Sequence, residues 1–122
     1  MLGSTEEIEK RVCDSYILPN QVVKSIPEPV VTVRTITYQQ ASYIEQCIQG
    51  VLMQKTNFPF EYIIGEDFST DGTREIVFEY AEKYPEKIRV ITADYNVGNA
   101  NSRRCNRISR GKYIALCEGD DY

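Results

Sequence analysis

From residue 30 onward, short runs of β-branched and aliphatic residues alternate with stretches in which apolar side chains recur every three or four positions. Residues 30–38, rich in Val, Ile and Thr and interrupted by Arg34, predict a strand. A polar turn at 39–42 follows, with Ser42 placed to cap a helix. In that helix Ile44, Cys47, Ile48, Val51 and Leu52 recur at i, i+3, i+4, i+7 and i+8, which defines an inward face. Residues 60–64 predict a second strand. The loop 65–73 then offers Ser69 as N-cap and Asp71 for the first turn of a helix whose inward side carries Ile76, Val77, Tyr80 and Ala81, up to Tyr84-Pro85. Residues 87–93 predict a third strand through Ile88, Val90 and Ile91. After a loop at 94–99 comes a weaker helix through Cys105 and Ile108, and Gly111 resets the chain for a fourth strand, the apolar run 113–117.

The first 28 residues read differently. Ser4 or Thr5 can cap a short helix, Glu6 and Glu7 suit its first turn, and Ile8, Val12 and Tyr16 form a thin apolar stripe. Pro19, Pro27 and Pro29 then mark an extended linker. The expected organisation is a helical lead-in and linker at 1–28 and one body at 29–122. Strands alternating with helices of these lengths imply right-handed crossovers and a mainly parallel sheet flanked by helices, so the predicted class is α/β, Rossmann-like.

Composition narrows the chemistry. The 122 residues fit one domain, on the small side for an enzyme with two substrates. A net charge of −4 argues against nucleic acid as a partner. The chain has no histidine, which removes His-based triads and His metal sites and leaves acid–base and metal chemistry to Asp, Glu, Tyr, Lys or Cys. Cys13, Cys47, Cys105 and Cys117 lack CxxC spacing and read as thiols of a reducing compartment. No apolar run approaches the ~20 residues that span a bilayer, so a cytoplasmic protein is expected, with membrane association left open for a longer gene product.

In parallel sheets of this kind ligands bind beyond the carboxyl ends of the strands, and three of those ends carry distinctive polar residues. Thr37-Tyr38-Gln39 follows the first strand: Tyr38 could stack on a base or simply pack in the core. Glu66-Asp67 follows the second, where carboxylates could accept from a base or a ribose hydroxyl, or only satisfy turn amides. Glu118, Gly119, Asp120 and Asp121 follow the fourth. Clustered carboxylates suit a hard divalent cation such as Mg²⁺ or Mn²⁺ shared with substrate phosphates, and a solvated acidic tail is the alternative. Arg103 and Arg104, with Arg107 and Arg110, fit an anion site or an ordinary solvated helix face. No GxxxxGK[ST] loop is present, and the loop at Gly98 lacks the glycines of a dinucleotide fingerprint.

Four segments in order resemble the nucleotide-binding half of a family 2 glycosyltransferase, the inverting class with the GT-A fold. They are residues 29–39, the loop 65–73, Asn96-x-Gly98 followed by arginines, and residues 111–121 with a DxD-type acidic motif. Three positions depart from the family pattern: Ile36 stands for Pro, Glu66 for Asp and Gln39 for Asn. The resemblance implies that Tyr38 and Asp67 hold the nucleobase, with Thr37 lining the turn and Glu66 among the nucleotide-binding residues, and that Arg103 or Arg104 contacts the nucleotide. By the same resemblance Asp120 faces the donor's ribose or sugar, and Asp121, with Glu118 and Asp120, holds Mg²⁺ or Mn²⁺. It implies transfer of a sugar from a nucleotide diphosphate sugar, UDP-sugar first among them, to a saccharide or lipid-linked hydroxyl, as in polysaccharide biosynthesis. The inverting base is expected beyond Tyr122, so that the chain binds nucleotide without turnover. A non-catalytic interaction module and a sugar nucleotidyltransferase are the competing readings. An exposed sheet edge is also expected, and with it self-association.

Overall fold

A computed structural model describes residues 5–18, 29, 31–54, 59–98, 100–111 and 113–117. Ser4, most of the linker and the acidic residues Glu118, Asp120 and Asp121 lie outside the described residues. The elements run α1 (Thr5–Cys13), β1 (Tyr16–Ile17), β2 (Val31–Thr37), α2 (Ile44–Leu52), β3 (Phe60–Glu66), α3 (Thr73–Lys83), β4 (Ile88–Thr92), α4 (Ala100–Ile108) and β5 (Tyr113–Leu116). One five-stranded sheet has the order β1-β4-β3-β2-β5. Its strands are parallel except β1, which pairs antiparallel with β4. The predicted α/β class is what forms.

β3 is buried along its whole length, and its alternation divides the core. Phe60, Tyr62 and Ile64 join Ile44, Ile48 and Val51 of α2 and Val77 of α3 on one face. Ile63 joins Ile91 of β4 and Cys105 of α4 on the other. Each such fully buried aliphatic side chain contributes about 1.5–3 kcal/mol. The α4 face also holds a buried carboxylate: Glu61 accepts from Thr32 Oγ1 at 2.6 Å and from Arg89 Nη1 at 2.9 Å, and from the Arg110 backbone amide. These bonds offset the desolvation of its charge and tie β3 to both neighbouring strands.

Several local expectations shift. β3 runs to Glu66, two residues past the apolar run, because Ile36 and Thr37 continue to pair with Gly65 and Glu66. Ser42 does not cap α2, whose N-cap is Tyr43 without a side-chain bond. Ser69 does not cap α3 either. That helix starts after Gly72 at φ 106°, and Asp71 accepts from the Thr73 amide at 3.1 Å and from its hydroxyl at 2.6 Å.

The lead-in is built into the same body. α1 packs on α4 and β1 adds an edge to β4. Val12 is buried with Ala93, Val97 and Ala100, and Ile8 packs against them. Tyr16 belongs to β1 and not to the helix stripe, and its hydroxyl donates to Asp94 at 2.8 Å. At the opposite edge, β5 exposes Tyr113, Ile114 and Leu116, the uncovered apolar edge that the pattern predicts. No disulfide joins the four cysteines, all of which are described, although Cys47 Sγ and Cys117 Sγ lie 3.2 Å apart. No helix among the described residues is long and apolar enough to cross a membrane.

Candidate functional site

Parallel strands deliver their carboxyl ends to one side of the sheet, and the loops after β2, β3 and β4 there enclose a crevice of about 490 Å³. Ile36, Thr37, Tyr38 and Gln40 form one wall. Asp67, Asn96, Gly98 and Asn101 form the other. Tyr38 is 51% exposed at the rim, so its ring is available for stacking and the core-packing reading does not hold.

The loop after β2 is held by the loop before α3. The Gln39 amide, at φ 53°, donates to Ser69 Oγ at 2.9 Å, and the Gln40 amide donates to Thr73 Oγ1 at 2.8 Å. Gln39 Oε1 accepts from the Thr70 amide at 2.6 Å, and Thr37 Oγ1 donates to Gln40 Oε1 at 2.7 Å. Ser69 is thus a staple between two loops, which is why it is not a helix cap. Gln39 itself adopts the left-handed conformation and its side chain reaches the Thr70 amide.

Asp67 is 5% exposed and sits in a nest of backbone amides. Its Oδ1 accepts from Val97 N–H at 2.6 Å and its Oδ2 from Gly98 N–H at 3.1 Å, while Asn96 Nδ2 donates to its backbone oxygen at 3.1 Å. Gly98 at φ 60° gives the loop the turn that points both amides at one carboxylate. Burial pushes the Asp67 pKa up, against the pull of these amides and of Arg104. Each oxygen retains a further lone pair, so the carboxylate can still accept from a ligand in the crevice.

Glu66 does not share that wall. Fully buried, it turns back to accept from the amides of Phe68 at 2.9 Å and Ser69 at 3.0 Å, satisfying a turn in which Phe68 adopts φ 59°. Arg74 lies over the Phe68 ring at 4.9 Å and its Nη1 is 3.9 Å from Glu66. The turn-satisfying role that sequence leaves open for Asp67 therefore belongs to Glu66.

The two adjacent arginines separate. Arg103 points to the outer face, 3.3 Å from Glu9 of α1, which Arg107 also reaches at 2.9 Å. Arg104 is fully buried behind the crevice. Its Nε donates to Asn101 Oδ1 at 2.8 Å, its Nη2 to the Glu66 carbonyl at 2.8 Å and its Nη1 to Ser15 Oγ at 3.1 Å. Burial pulls its pKa down, opposed by Asp67 and Glu66 among its neighbours.

β5 runs parallel to β2 toward the crevice end, and Cys117 N–H donates to the Arg34 carbonyl at 2.8 Å where the described strand stops. Among the described residues no group of three or more His, Cys, Asp or Glu could hold a metal. Asn101 and Gln40 enter the site without having been singled out. Asn101 had a readable signal: with Ala100, Arg104, Cys105 and Ile108 it lies on the inward side of α4, where a polar residue marks a buried polar contact.

Known proteins resemble this chain in sequence and fold. An uncharacterised Mycobacterium tuberculosis protein is 46% identical over 89 residues, which are 72% of this chain and 26% of that protein, so the chain spans about a quarter of the relative's length. Staphylococcus aureus TarS, residues 1–349 in complex with UDP, superposes with a TM-score of 0.62 at 26% identity, covering 75% of this chain and 28% of that one. The Pyrobaculum calidifontis mannosyltransferase PcManGT, in complex with GDP-Man and Mn²⁺, shares the fold with a TM-score of 0.65 at 22% identity, over 94% of this chain and 33% of that one. The two solved structures are GT-A glycosyltransferases. The family model for glycosyl transferase family 2 matches residues 32–122, and the chain belongs to that family.

Proposed function

We propose that the crevice receives the nucleotide of a nucleotide diphosphate sugar, and that the protein transfers the sugar with inversion to a hydroxyl acceptor. The observation that carries this reading is the pairing of an exposed Tyr38 ring with the amide-anchored Asp67 carboxylate across one crevice in a family 2 chain. Tyr38 would stack on the base and Asp67 would accept from an N–H on its edge. Thr37 and Asn101 shape the walls, and Arg104 holds the Glu66 carbonyl from behind. UDP in TarS favours a uridine nucleotide as the first ligand to test.

Glu118, Asp120 and Asp121 come shortly after β5 in sequence, beyond Cys117, and supply only hard oxygen donors, which fits Mg²⁺ or Mn²⁺. Asp121 is the principal ligand in this reading, and the Mn²⁺ bound by PcManGT supports the choice of a divalent cation. When bound, such an ion neutralises charge that grows on a departing diphosphate. The remaining acid–base work, deprotonation of the acceptor hydroxyl opposite the leaving group, calls for a carboxylate base. The chain is titrated calorimetrically with UDP in the presence of Mn²⁺. Saturable binding that Asp121→Ala weakens is expected, and no heat at millimolar UDP, or binding indifferent to that substitution, refutes the proposal.

A further inference from the structure

We infer that residues 5–17, which lie outside the family match, act as a buttress that sets the Asp67 wall of the crevice, with Val12 and Ser15 as its positioning residues. The inference rests on the nucleotide reading above for its binding consequence, although its structural core stands apart from it. Three contacts from this segment converge on the same wall. Val12 and Ile8 pack on Ala93, Val97 and Ala100, and Val97 is one of the two residues whose amides grip the Asp67 carboxylate. Ser15 Oγ accepts from Arg104 Nη1 at 3.1 Å, and Arg104 in turn holds the Glu66 carbonyl and Asn101. Tyr16 accepts from Arg74 Nη2 at 3.1 Å, and Arg74 stacks on Phe68, which follows Asp67.

The geometry has a specific consequence. A guanidinium with five donors in a fixed fork needs its partners in place to hold one orientation, and Arg104 is fully buried. Ser15 is itself anchored, since its hydroxyl donates to the Arg11 carbonyl at 2.8 Å. Removing that hydroxyl leaves one arm of the fork without its acceptor and frees the group that fixes the Glu66-Asp67 backbone. Shortening Val12 opens space under Val97 and loosens the amide pair. Both perturbations reach Asp67 without touching the crevice. The exposed pairs of Glu9 with Arg103 and Arg107 attach the same helix on its outer side and contribute little.

The test uses the whole chain and two readouts. Amide hydrogen exchange at Val97 and Gly98 is measured in Val12→Ala, Ser15→Ala, Ser15→Thr and Glu9→Ala, together with UDP titration in the presence of Mn²⁺ at a temperature where each variant is folded. Expected are faster exchange at those two amides in Val12→Ala and Ser15→Ala and about three- to tenfold weaker UDP binding. Ser15→Thr should restore both, and Glu9→Ala should change neither. Unchanged exchange at Val97 and Gly98, or acceleration spread evenly over the sheet, overturns the buttress whatever UDP does. A wild-type chain that fails to bind UDP refutes the nucleotide reading and leaves the exchange result to decide this one. UDP affinity unchanged in both variants, with wild type binding, also overturns it.

Discussion

Gly65→Ala tests the packing that supports the candidate site. Gly65 lies within β3, paired with Ile36 and Ile91, with no left-handed conformation to require glycine. What excludes a side chain is α4: an added Cβ would sit 2.5 Å from Cys105 Sγ and 3.1 Å from Asn101 Cγ, and closer still to Asn101 Oδ1. Both residues are buried and cannot swing into solvent. Displacing Asn101 also breaks its Nδ2 bond to the Gly65 carbonyl at 2.9 Å and its acceptance from Arg104 Nε at 2.8 Å. Overpacking costs about 1–3 kcal/mol, and each strained hydrogen bond adds roughly 1 kcal/mol. Against this, alanine restricts the unfolded chain, worth about 0.4–1 kcal/mol in the other direction. A net loss of about 2–4 kcal/mol follows. With a urea slope of about 2 kcal/mol/M, mid-range for small domains, the unfolding midpoint followed by circular dichroism should fall by about 1–2 M at unchanged slope. Gly50→Ala is the internal control: nothing lies within 4 Å of a Cβ at that position in α2, so the same chemical change should stabilise the protein by about 1 kcal/mol. A Gly65→Ala midpoint at or above wild type, or a loss no larger in the Asn101-containing chain than in an Asn101→Ala background, would refute the steric account.

Two further outcomes follow from polar groups. Asp71→Ala removes the acceptor for the Thr73 amide and hydroxyl and for the Ala41 amide, and should lower stability by about 1 kcal/mol, read from urea unfolding. Because these bonds hold the Asp71 pKa below its ordinary value, the contribution is present above the ordinary carboxylate range and disappears as pH falls through the lowered value. The deficit of Asp71→Ala should therefore shrink in acid. Tyr62 is the opposite case: burial pushes its phenol well above the ordinary 10.0, and its hydroxyl is 2.7 Å from Thr35 Oγ1. In the unfolded chain it ionises near 10, so stability is intact below that pH and is lost above it, whereas Tyr62→Phe should flatten the alkaline fall. An alkaline limb identical in both proteins would contradict the assignment.

Much of the fold was legible because period reports burial. The 3.6-residue recurrence in α2 and the β-branched runs of β2, β3 and β4 each identify a face, and consecutive strands separated by helices leave few topologies. Tyr38 and Asp67 were legible as well, since residues just after parallel strands share one end of the sheet. Arg103 and Arg104 were read together, although neighbours on a helix differ by about 100° in direction: Arg104, four residues after Ala100 and four before Ile108, shares the face of α4 that docks on β3, and Arg103 does not.

The sequence by itself determined the α/β class, the helix faces, the polar ends of the strands and the family, because all of these depend on residues close together or on their order. Tertiary structure alone decided that Glu66 serves the turn while Asp67 faces the crevice, that Ser69 staples two loops instead of capping a helix, and that the lead-in braces α4. Glu66 took the local amides, whereas Ser69 and Asp67 each had a local and a distant partner open to them. The distant one prevailed because packing of the sheet had already brought it within hydrogen-bonding reach in a place where water could not compete.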